Sequence, residues 1–171
     1  MHLDGSKKIL VLGGYGLIGA EVARHLVRQG HEVSALGRDK RAAFAALPNV
    51  RWHLHDLASL TTPADWLALL ENIDAVVNCA GALQPTPQDD LAAVHHTALA
   101  ACAMACANKD VTLVQISAVG VSKTASTEFL RTKAAGDAAI MASGARHFII
   151  RPGLVLAPSA HGGTLLLRML A

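Results

Sequence analysis

Near its start the sequence reads Leu10-Val11-Leu12-Gly13-Gly14-Tyr15-Gly16-Leu17-Ile18-Gly19-Ala20. Residues 9–12 are all apolar, which is typical of a strand buried on both faces of a parallel sheet. The glycines that follow allow a sharp turn, and residues 21–28 carry apolar side chains at helical spacing. The stretch therefore predicts a strand, a glycine loop and the start of a helix.

The spacing of the glycines predicts a phosphate-binding loop. Gly14, Gly16 and Gly19 fit G-x-G-x-x-G, in which the glycines make the turn, admit a pyrophosphate to the backbone, and let helix and strand pack closely. A wider G-x-x-G-x-x-G form begins at Gly13. A nucleoside-triphosphate loop would need Lys and then Ser or Thr after the last glycine, where this sequence has Ala and Glu. The alternative to dinucleotide binding is a tight turn without a ligand.

The composition predicts one folded domain. A chain of 171 residues can bury a core without disulfides, so we expect residues 1–171 to form a single dinucleotide-binding domain. Hydrophobic residues make up 52% and charged residues 16%, which favours a sheet covered by helices and excludes a disordered chain. With a net charge of +2 and no basic stripe interleaved with aromatics, nucleic acid is not an expected partner.

The cysteines and the apolar runs indicate the cellular compartment in which we expect the protein. Cys79, Cys102 and Cys106 are odd in number and form no C-x-x-C pair, so we expect a reducing compartment, the cytoplasm. Residues 1–8 lack the apolar core of a signal peptide, and no apolar run reaches the roughly 18 residues of a membrane span. Residues 162–171 form an apolar run of helix-like composition without a stop signal, as if the chain were cut within a helix.

Strands and helices alternate along the chain. Strands are predicted at 9–12, 31–36, 50–54, 74–78, 111–116 and 148–150. Helices are predicted at 17–29, 40–47, 89–108 and 127–143, with a further capped start at 62. The expected buried side chains are Ile18, Val22, Leu26 and Val27 in the first helix, and Trp66, Leu67, Leu69 and Leu70 after the capped start. This alternation predicts an α/β fold, a three-layered, doubly wound parallel sheet with strand order 3-2-1-4-5-6.

In such a sheet, ligands bind outside the carboxyl ends of the strands, where the strand order reverses. Asp56 reaches this edge, where its carboxylate could accept a hydrogen bond from an adenine amino group or cap a turn. The small residues at 79–81 would let a cofactor pass close over the strand end. The predicted cofactor-binding residues at this edge are Gly13, Gly14, Tyr15, Gly16, Leu17, Ile18, Gly19, Arg38, Asp56, Leu57, Cys79, Ala80, Gly81, Pro152 and Gly153.

The end of the second strand bears on the choice of cofactor. An acidic residue there accepts the ribose hydroxyls of NAD, whereas an arginine binds the extra phosphate of NADP. Gly37 leaves room, Arg38 follows at once, and Asp39 comes one residue later. The sequence therefore favours NADP(H), and NAD(H) stays possible if Asp39 points inward.

Paired histidines raise the question of a metal. His53 and His55 share one face of a strand without a third ligand nearby, and the adjacent His95 and His96 would diverge by about 100° on a helix. We therefore expect no metal site. Cys102 and the cysteine four residues later are expected to pack like alanines on one helix face.

Four motifs resemble those of the atypical short-chain dehydrogenase/reductase superfamily of Rossmann-fold proteins, over nearly the whole chain. Besides the glycine loop, they are Asn78-Cys79-Ala80-Gly81, Ile116-Ser117-Ala118 and Arg151-Pro152-Gly153. Within the superfamily, the chain looks most like bacterial proteins related to the NADPH-binding accessory subunit of respiratory complex I. Some of these relatives carry a membrane-embedded DoxX-like domain after the R-P-G segment, so the resemblance implies that such a domain could follow here.

One position departs from the superfamily pattern. Phe129 stands where the resemblance places the tyrosine of Y-x-x-x-K, whose hydroxyl transfers the proton in catalytic members. The only tyrosine in the chain is Tyr15, within the glycine loop. Ser117 and Lys133 remain as candidate catalytic residues, because the resemblance gives the serine the role of orienting substrate and the lysine that of binding the nicotinamide ribose.

Three functions follow from this pattern. The first is a module that holds NADP(H) for structural or sensing purposes, which the phenylalanine favours. The second is an active oxidoreductase or an enzyme like the sugar-nucleotide epimerases, acting on an unknown small molecule, which the retained serine and lysine favour. The third is an interaction protein that docks a partner through its apolar C-terminal run. A homodimer through the helices at 89–108 and 127–143 is also expected from the resemblance.

Overall fold

The computed structural model describes residues 5–84 and 90–155. Within these residues, six parallel strands form one sheet, in the order β3-β2-β1-β4-β5-β6, so the predicted α/β fold and strand order are confirmed. The strands are β1 (Lys8–Leu12), β2 (Glu32–Gly37), β3 (Arg51–Leu54), β4 (Ala75–Asn78), β5 (Thr112–Ile116) and β6 (His147–Ile150). Each begins within one residue of its predicted position.

In the described part of the chain, four α-helices connect the strands. They are α1 (Leu17–Arg28), α2 (Lys40–Ala46), α3 (Ala98–Lys109) and α4 (Glu128–Ala142). Two 3-10 turns, Leu57–Ser59 and Pro63–Trp66, lie between β3 and β4, and a π-helical segment, Ala93–Thr97, leads into α3. The predicted helix at 162–171 and the predicted helix start at Asp89 lie outside the described residues.

The sheet has a different core on each face, because successive residues of a strand point to opposite sides. On the α1 face, Ile9 and Val11 pack in one cluster with Ala23 of α1. On the α3 face, Leu10 and Leu12 join a larger cluster that includes many residues of α3. Helices on both faces explain why the strands read as continuous apolar runs instead of alternating ones.

Two expected core residues are exposed. Val27 is 47% exposed, because it lies about 100° around the helix from Leu26, which packs against the core. Leu67 is 46% exposed, because the predicted helix beyond residue 62 is a single 3-10 turn followed by irregular turns. Without a continuous helical face, Trp66, Leu69 and Leu70 point inward while Leu67 does not.

The long helix predicted at 89–108 contains the π-helical segment, which the sequence did not predict. At this segment α4 approaches so closely that a Cβ on Gly136 would overlap the carbonyl oxygen of His95 and lie 3.2 Å from Leu99 Cδ2. The absence of a side chain at 136 therefore lets the two helical segments touch through their backbones. This contact brings α4 up to the carboxyl edge of the sheet.

Candidate functional site

The glycine loop turns at Gly13, whose φ of +69° lies in the left-handed region. The amides of Gly13 and Gly14 donate to Leu36 O, at 3.0 and 3.2 Å. Gly16 is the N-cap of α1, and the first intrahelical bond runs from Ala20 N to its carbonyl. The amides of Leu17, Ile18 and Gly19 precede that bond, which makes this end of α1 suited to an anion.

The G-x-x-G-x-x-G pattern that begins at Gly13 describes the loop better than the G-x-G-x-x-G pattern that begins at Gly14. A Cβ on Gly13 would lie 2.7 Å from Ala80 Cα, and one on Gly19 would overlap the Gly13 carbonyl. A Cβ on Gly16 would meet only that same carbonyl oxygen, at 3.2 Å. Gly14 instead packs against Ala35 and Trp52 on the α1 face. Gly13 thus makes the turn, Gly19 allows the packing, and a side chain at Gly16 would crowd only the Gly13 carbonyl.

A cavity of about 230 Å³ opens between this loop and the ends of β2 and β4, and we call it the loop cavity. Nine residues of the predicted cofactor set line it: Gly13, Tyr15, Gly16, Arg38, Asp56, Leu57, Cys79, Ala80 and Gly81. Five more lining residues were not in that set: Leu36, Gly37, His55, Ala82 and Val94. These could have been found only from the fold, because none belongs to a motif.

The charged groups of the loop cavity are Arg38 and Asp56. Arg38 Nη1 lies 3.9 Å from Asp56 Oδ2, and both side chains are close to half exposed. Asp56 Oδ1 also accepts from the amide of Ala58, so this carboxylate caps a 3-10 turn while lining the cavity. Asp39 caps α2 by accepting from Ala42 N at 3.0 Å.

Tyr15 lies over the end of β2. A Cβ on Gly37 would overlap the Tyr15 ring, so only glycine at 37 lets the ring rest there. The ring is tilted by 31° against Trp52, with their centroids 6.0 Å apart. Tyr15, Gly37 and Arg38 all line the loop cavity, so an aromatic ring lies at the side of the cavity that the end of β2 forms.

The turn after β4 is fixed by amide hydrogen bonds. Asn78 Nδ2 donates to Gln115 Oε1 at 2.8 Å, and Asn78 Oδ1 accepts from Ala80 N. Cys79 lies in this turn, and burial raises the pKa of its thiol to about 12, although the Lys133 ammonium acts in the opposite direction. The cysteine is therefore held as a neutral thiol.

His95 is a member of the site that sequence reasoning considered only as a metal ligand. Its Nε2 accepts from Ala82 N at 3.1 Å, and its Nδ1 lies 2.9 Å from Thr132 Oγ1. Since Nε2 accepts, Nδ1 carries the proton and donates to Thr132. Burial lowers the pKa of His95 to about 4, and the Lys133 charge acts in the same direction. His95 is therefore a neutral bridge between the β4 turn and α4.

Lys133 and Phe129 meet on the inner side of α4. Lys133 Nζ donates to Ile116 O at 3.1 Å and lies 5.6 Å from the centroid of the Phe129 ring. The same ring meets the His95 ring edge to face, with centroids 5.5 Å apart. Burial lowers the pKa of Lys133, while the nearby Asp137 and Cys79 act in the opposite direction.

Ser117 belongs to a second buried network at the end of β5. Its hydroxyl donates to Asp137 Oδ2 at 2.8 Å, and Arg151 Nη2 donates to the same oxygen at 2.9 Å. Asp137 Oδ1 is buried and has no hydrogen-bond partner among the described residues. Pro152 and Gly153 directly follow this arginine, so the network anchors the R-P-G segment to α4.

A larger cavity, about 470 Å³, lies at the opposite edge of the sheet, where Lys8, Glu32 and Arg51 begin their strands. Val27, in the last turn of α1, also lines it. Because the C-terminal end of a helix carries partial negative charge, this cavity is less suited to a phosphate than the loop cavity. His53 lines it, whereas His55 lines the loop cavity. Over residues 5–84 and 90–155, no three metal-binding side chains come together.

A family of proteins described as NAD(P)H-binding matches residues 13–167, a range that contains the glycine loop and both buried networks. The chain belongs to the NAD(P)H-binding family. No curated protein sequence matches it. As for membranes, no helix within the described part is long and apolar enough to cross one.

Several solved structures share the fold of this NAD(P)H-binding chain. The Bordetella bronchiseptica enzyme WbmH, in complex with NAD+, has a TM-score of 0.80 at 19% identity over 97% of this chain. A putative NAD-dependent epimerase/dehydratase from Bacillus halodurans has a TM-score of 0.73 at 20% identity. The match covers 86% of this chain and 71% of that protein. A short-chain dehydrogenase from Streptomyces avermitilis has a TM-score of 0.69 at 23% identity. The match covers 90% of this chain and 68% of that protein. The chain spans 63% of the length of WbmH.

The geometry of the loop predicts different effects when two glycines of this NAD(P)H-binding chain are replaced by valine: one replacement should weaken cofactor binding, and the other should prevent folding. Gly16→Val puts a branched side chain into the space before α1, so calorimetric titration with NADPH and with NADH should show at least a tenfold loss of affinity, about 1.4 kcal/mol. Its thermal midpoint should stay near that of the wild type. Gly19→Val should unfold the domain, because it overlaps the Gly13 carbonyl. Unchanged affinity in Gly16→Val would refute the assignment of the loop.

The buried His95 predicts a specific loss of stability in acid. Its pKa in the folded chain, about 4, lies below the unfolded value of 6.5, so as the pH falls the unfolded chain takes up the proton first. Between about pH 6.5 and 4 the free energy of unfolding should therefore fall, by about 3 kcal/mol at most.

The variant His95→Gln isolates this contribution, because its amide can still accept from Ala82 N and donate to Thr132. Urea unfolding at several pH values should show a weaker pH dependence in the variant than in the wild type. Equal pH dependence in both proteins would contradict a neutral His95.

Proposed function

We propose that this protein binds NADP(H) in the loop cavity and holds it without the tyrosine-based proton transfer of catalytic relatives. The observation that carries this proposal is the set of contacts around Phe129. That ring packs between His95 and Lys133 at the place where the resemblance puts the reactive hydroxyl. A phenylalanine there can bury a nicotinamide ring but cannot exchange a proton with a substrate oxygen.

The polar groups near Phe129 are engaged with the protein itself. His95 accepts from a backbone amide, and its lowered pKa makes it a weak base. The Ser117 hydroxyl donates its hydrogen bond to Asp137, so toward a ligand it can only accept. Cys79, with its raised pKa, is not a thiolate near neutral pH. These pairings support a role in holding the cofactor, for structural or sensing purposes.

Arg38 supports the preference for NADP(H). It lines the loop cavity, where its guanidinium could bind the additional phosphate, whereas the Asp39 carboxylate is occupied in capping α2. Asp56 shares the guanidinium, so a bound phosphate would compete with this carboxylate. NAD(H) is the competing cofactor, and the NAD+ complex of WbmH favours it.

A second candidate function is an active NAD(P)-dependent oxidoreductase or epimerase-like enzyme. Lys133 favours it, because its pKa is lowered and its Nζ lies 3.8 Å from where a Cβ on Gly81 would stand, beside the loop cavity. In this reading Lys133 or a water would move the proton and Ser117 would position the substrate. The subgroup related to the complex I subunit, the homodimer and the cytoplasmic location stay predictions.

The cofactor preference is tested by comparing two neighbouring arginines. Arg38→Ala should weaken NADPH binding about 10- to 100-fold, because a charge-assisted hydrogen bond contributes about 1.5–3 kcal/mol, and NADH binding by less than about threefold. Arg41→Ala, at an exposed position of α2, should change neither. Calorimetry with both cofactors at one ionic strength measures this. Equal losses for NADPH and NADH in Arg38→Ala would remove its phosphate role.

Turnover distinguishes the two candidate functions. The wild-type protein, mixed with NADPH and in turn with aldehydes, ketones and nucleotide sugars, should leave the NADPH absorbance unchanged while binding it in calorimetry. Consumption of NADPH by the wild type that disappears in Lys133→Met would overturn the holding role and establish the second candidate. The control is Lys123→Met, at an exposed position of the loop before α4.

A further inference from the structure

The cavity of about 470 Å³ lies at the edge of the sheet where the strands begin, and we call it the edge cavity. Ser34 of β2 lines it and is 9% exposed, and the Ser34 hydroxyl has no hydrogen-bond partner among the described residues. Nearly all buried side-chain polar atoms have such a partner, so this exception marks a place where a bound molecule can supply one. The volume also lies in the range of about 300–1,000 Å³ that is typical of small-molecule sites.

Two polar residues of β3 lie beside this hydroxyl. In the register of the two strands, Ser34 pairs with Arg51. His53 is two residues further along β3, so all three side chains lie on one face of the sheet, on strands about 4.8 Å apart. Arg51 and His53 also line the edge cavity, and neither has a hydrogen bond or an ion pair among the described residues. Burial, and after it the charge of Arg51, lowers the pKa of His53, so its neutral ring keeps one N–H to donate.

These three groups form a site suited to a carboxylate. A guanidinium binds a carboxylate through two parallel hydrogen bonds, and a hydroxyl and an imidazole N–H beside it can donate to the same group. The other ammonium or guanidinium of the edge cavity, that of Lys8, lies 3.9 Å from Glu32 Oε2, so these two charges largely balance. Arg51 is therefore the unpaired guanidinium among the described lining residues.

A carboxylate outside the sheet limits the charge of the ligand. Glu71, in the segment that leads to β4, lines the edge cavity, is exposed, and has no ion pair among the described residues. A ligand with negative charge alone would be repelled by Glu71 and by the C-terminal end of α1, and a ligand with positive charge alone would be repelled by Arg51. The edge cavity is therefore complementary to a small molecule that carries both a carboxylate and an ammonium group.

The apolar part of the lining is aliphatic. Val33, Val50, Leu69 and Ile73 contribute it, and no phenylalanine, tyrosine or tryptophan of the described chain lines the edge cavity. An aliphatic ligand body would bury apolar surface against these side chains, which is favourable. The lining thus adds a third requirement to the two charged groups.

We propose that the edge cavity binds an aliphatic α-amino acid. The ligand carboxylate accepts from Arg51 and Ser34, its ammonium group faces Glu71, and its side chain contacts Val33 and Leu69. The edge cavity shares none of its described lining residues with the loop cavity. Amino-acid binding and cofactor binding are therefore separate properties of this chain.

Calorimetric titration of the full chain with L-leucine tests the proposal against two analogues that each lack one charged group. Isocaproate has the same carbon skeleton without the ammonium group, and isoamylamine lacks the carboxylate. Leucine should bind with a dissociation constant of about 1 mM or tighter, and each analogue at least about tenfold more weakly. Absence of leucine binding up to about 10 mM would overturn the proposal. Either analogue binding as tightly as leucine would overturn it as well.

Two variants test the carboxylate contacts. Ser34→Ala should weaken leucine binding at least about threefold without lowering the thermal midpoint, because the hydroxyl has no partner in the described protein to lose. Arg51→Gln should weaken leucine binding at least about tenfold and leave NADPH binding unchanged. The matched control Arg41→Gln, at an exposed position of α2 outside the cavity lining, should change neither. Leucine binding that is unchanged in both Ser34→Ala and Arg51→Gln would overturn the proposal.

A third variant tests the ammonium contact. Glu71→Gln should weaken leucine binding and strengthen isocaproate binding, so the ratio of the two affinities should fall at least about tenfold. An unchanged ratio would refute the pairing of the ammonium group with Glu71. Because these titrations contain no cofactor, a failure of leucine to bind would leave the proposed function standing, and a failure of NADPH to bind would leave the amino-acid site standing.

Discussion

A backbone contact between Gly13 and Ala80 holds the carboxyl edge of the sheet together. The two residues approach so closely that a side chain at 13 would meet Ala80 Cα at 2.7 Å. Gly19 in turn packs on the carbonyl of Gly13, which fixes where α1 begins. The loop cavity lies between these segments, with the first amides of α1 on one side and the β4 turn on the other. The shape of the loop cavity therefore depends on the absence of side chains at two positions.

The second organising feature is the way buried polar groups next to the cavity satisfy one another. His95 joins the β4 turn to α4 through Ala82 and Thr132, and Asp137 joins α4 to Ser117 and Arg151. Polar groups buried away from water must find partners, and here the protein provides most of them. The close approach of α4 at Gly136 makes both networks possible, so helix packing and site chemistry are coupled.

Much of the fold could be predicted from local sequence. Short apolar runs indicate buried strands, and the right-handed crossover rule allows few orders of those strands within the sheet. The glycine loop was predictable for the same reason, because its spacing and its place between strand and helix are both local. The role of each glycine within the loop was not predictable from the sequence. Whether Gly13 or Gly14 turns the chain depends on which distant residues pack against each of them. Val27 and Leu67 were misplaced because the direction of a side chain depends on the exact helical geometry.

The sequence by itself determined the α/β class, the strand order and the glycine loop between the first strand and the first helix, whereas the replacement of a reactive tyrosine by Phe129 stays a prediction from the resemblance. Only the tertiary structure decided that His95 is a neutral bridge, that the Ser117 hydroxyl donates to Asp137, and that Asp39 caps a helix while Arg38 lines the cavity. It alone also showed that Phe148 and Ile150 of β6 are exposed. Periodicity and motif spacing are properties of neighbours along the chain, whereas burial, the direction of a hydrogen bond and the resulting pKa arise from residues far apart in sequence that meet only when the sheet and its helices are assembled.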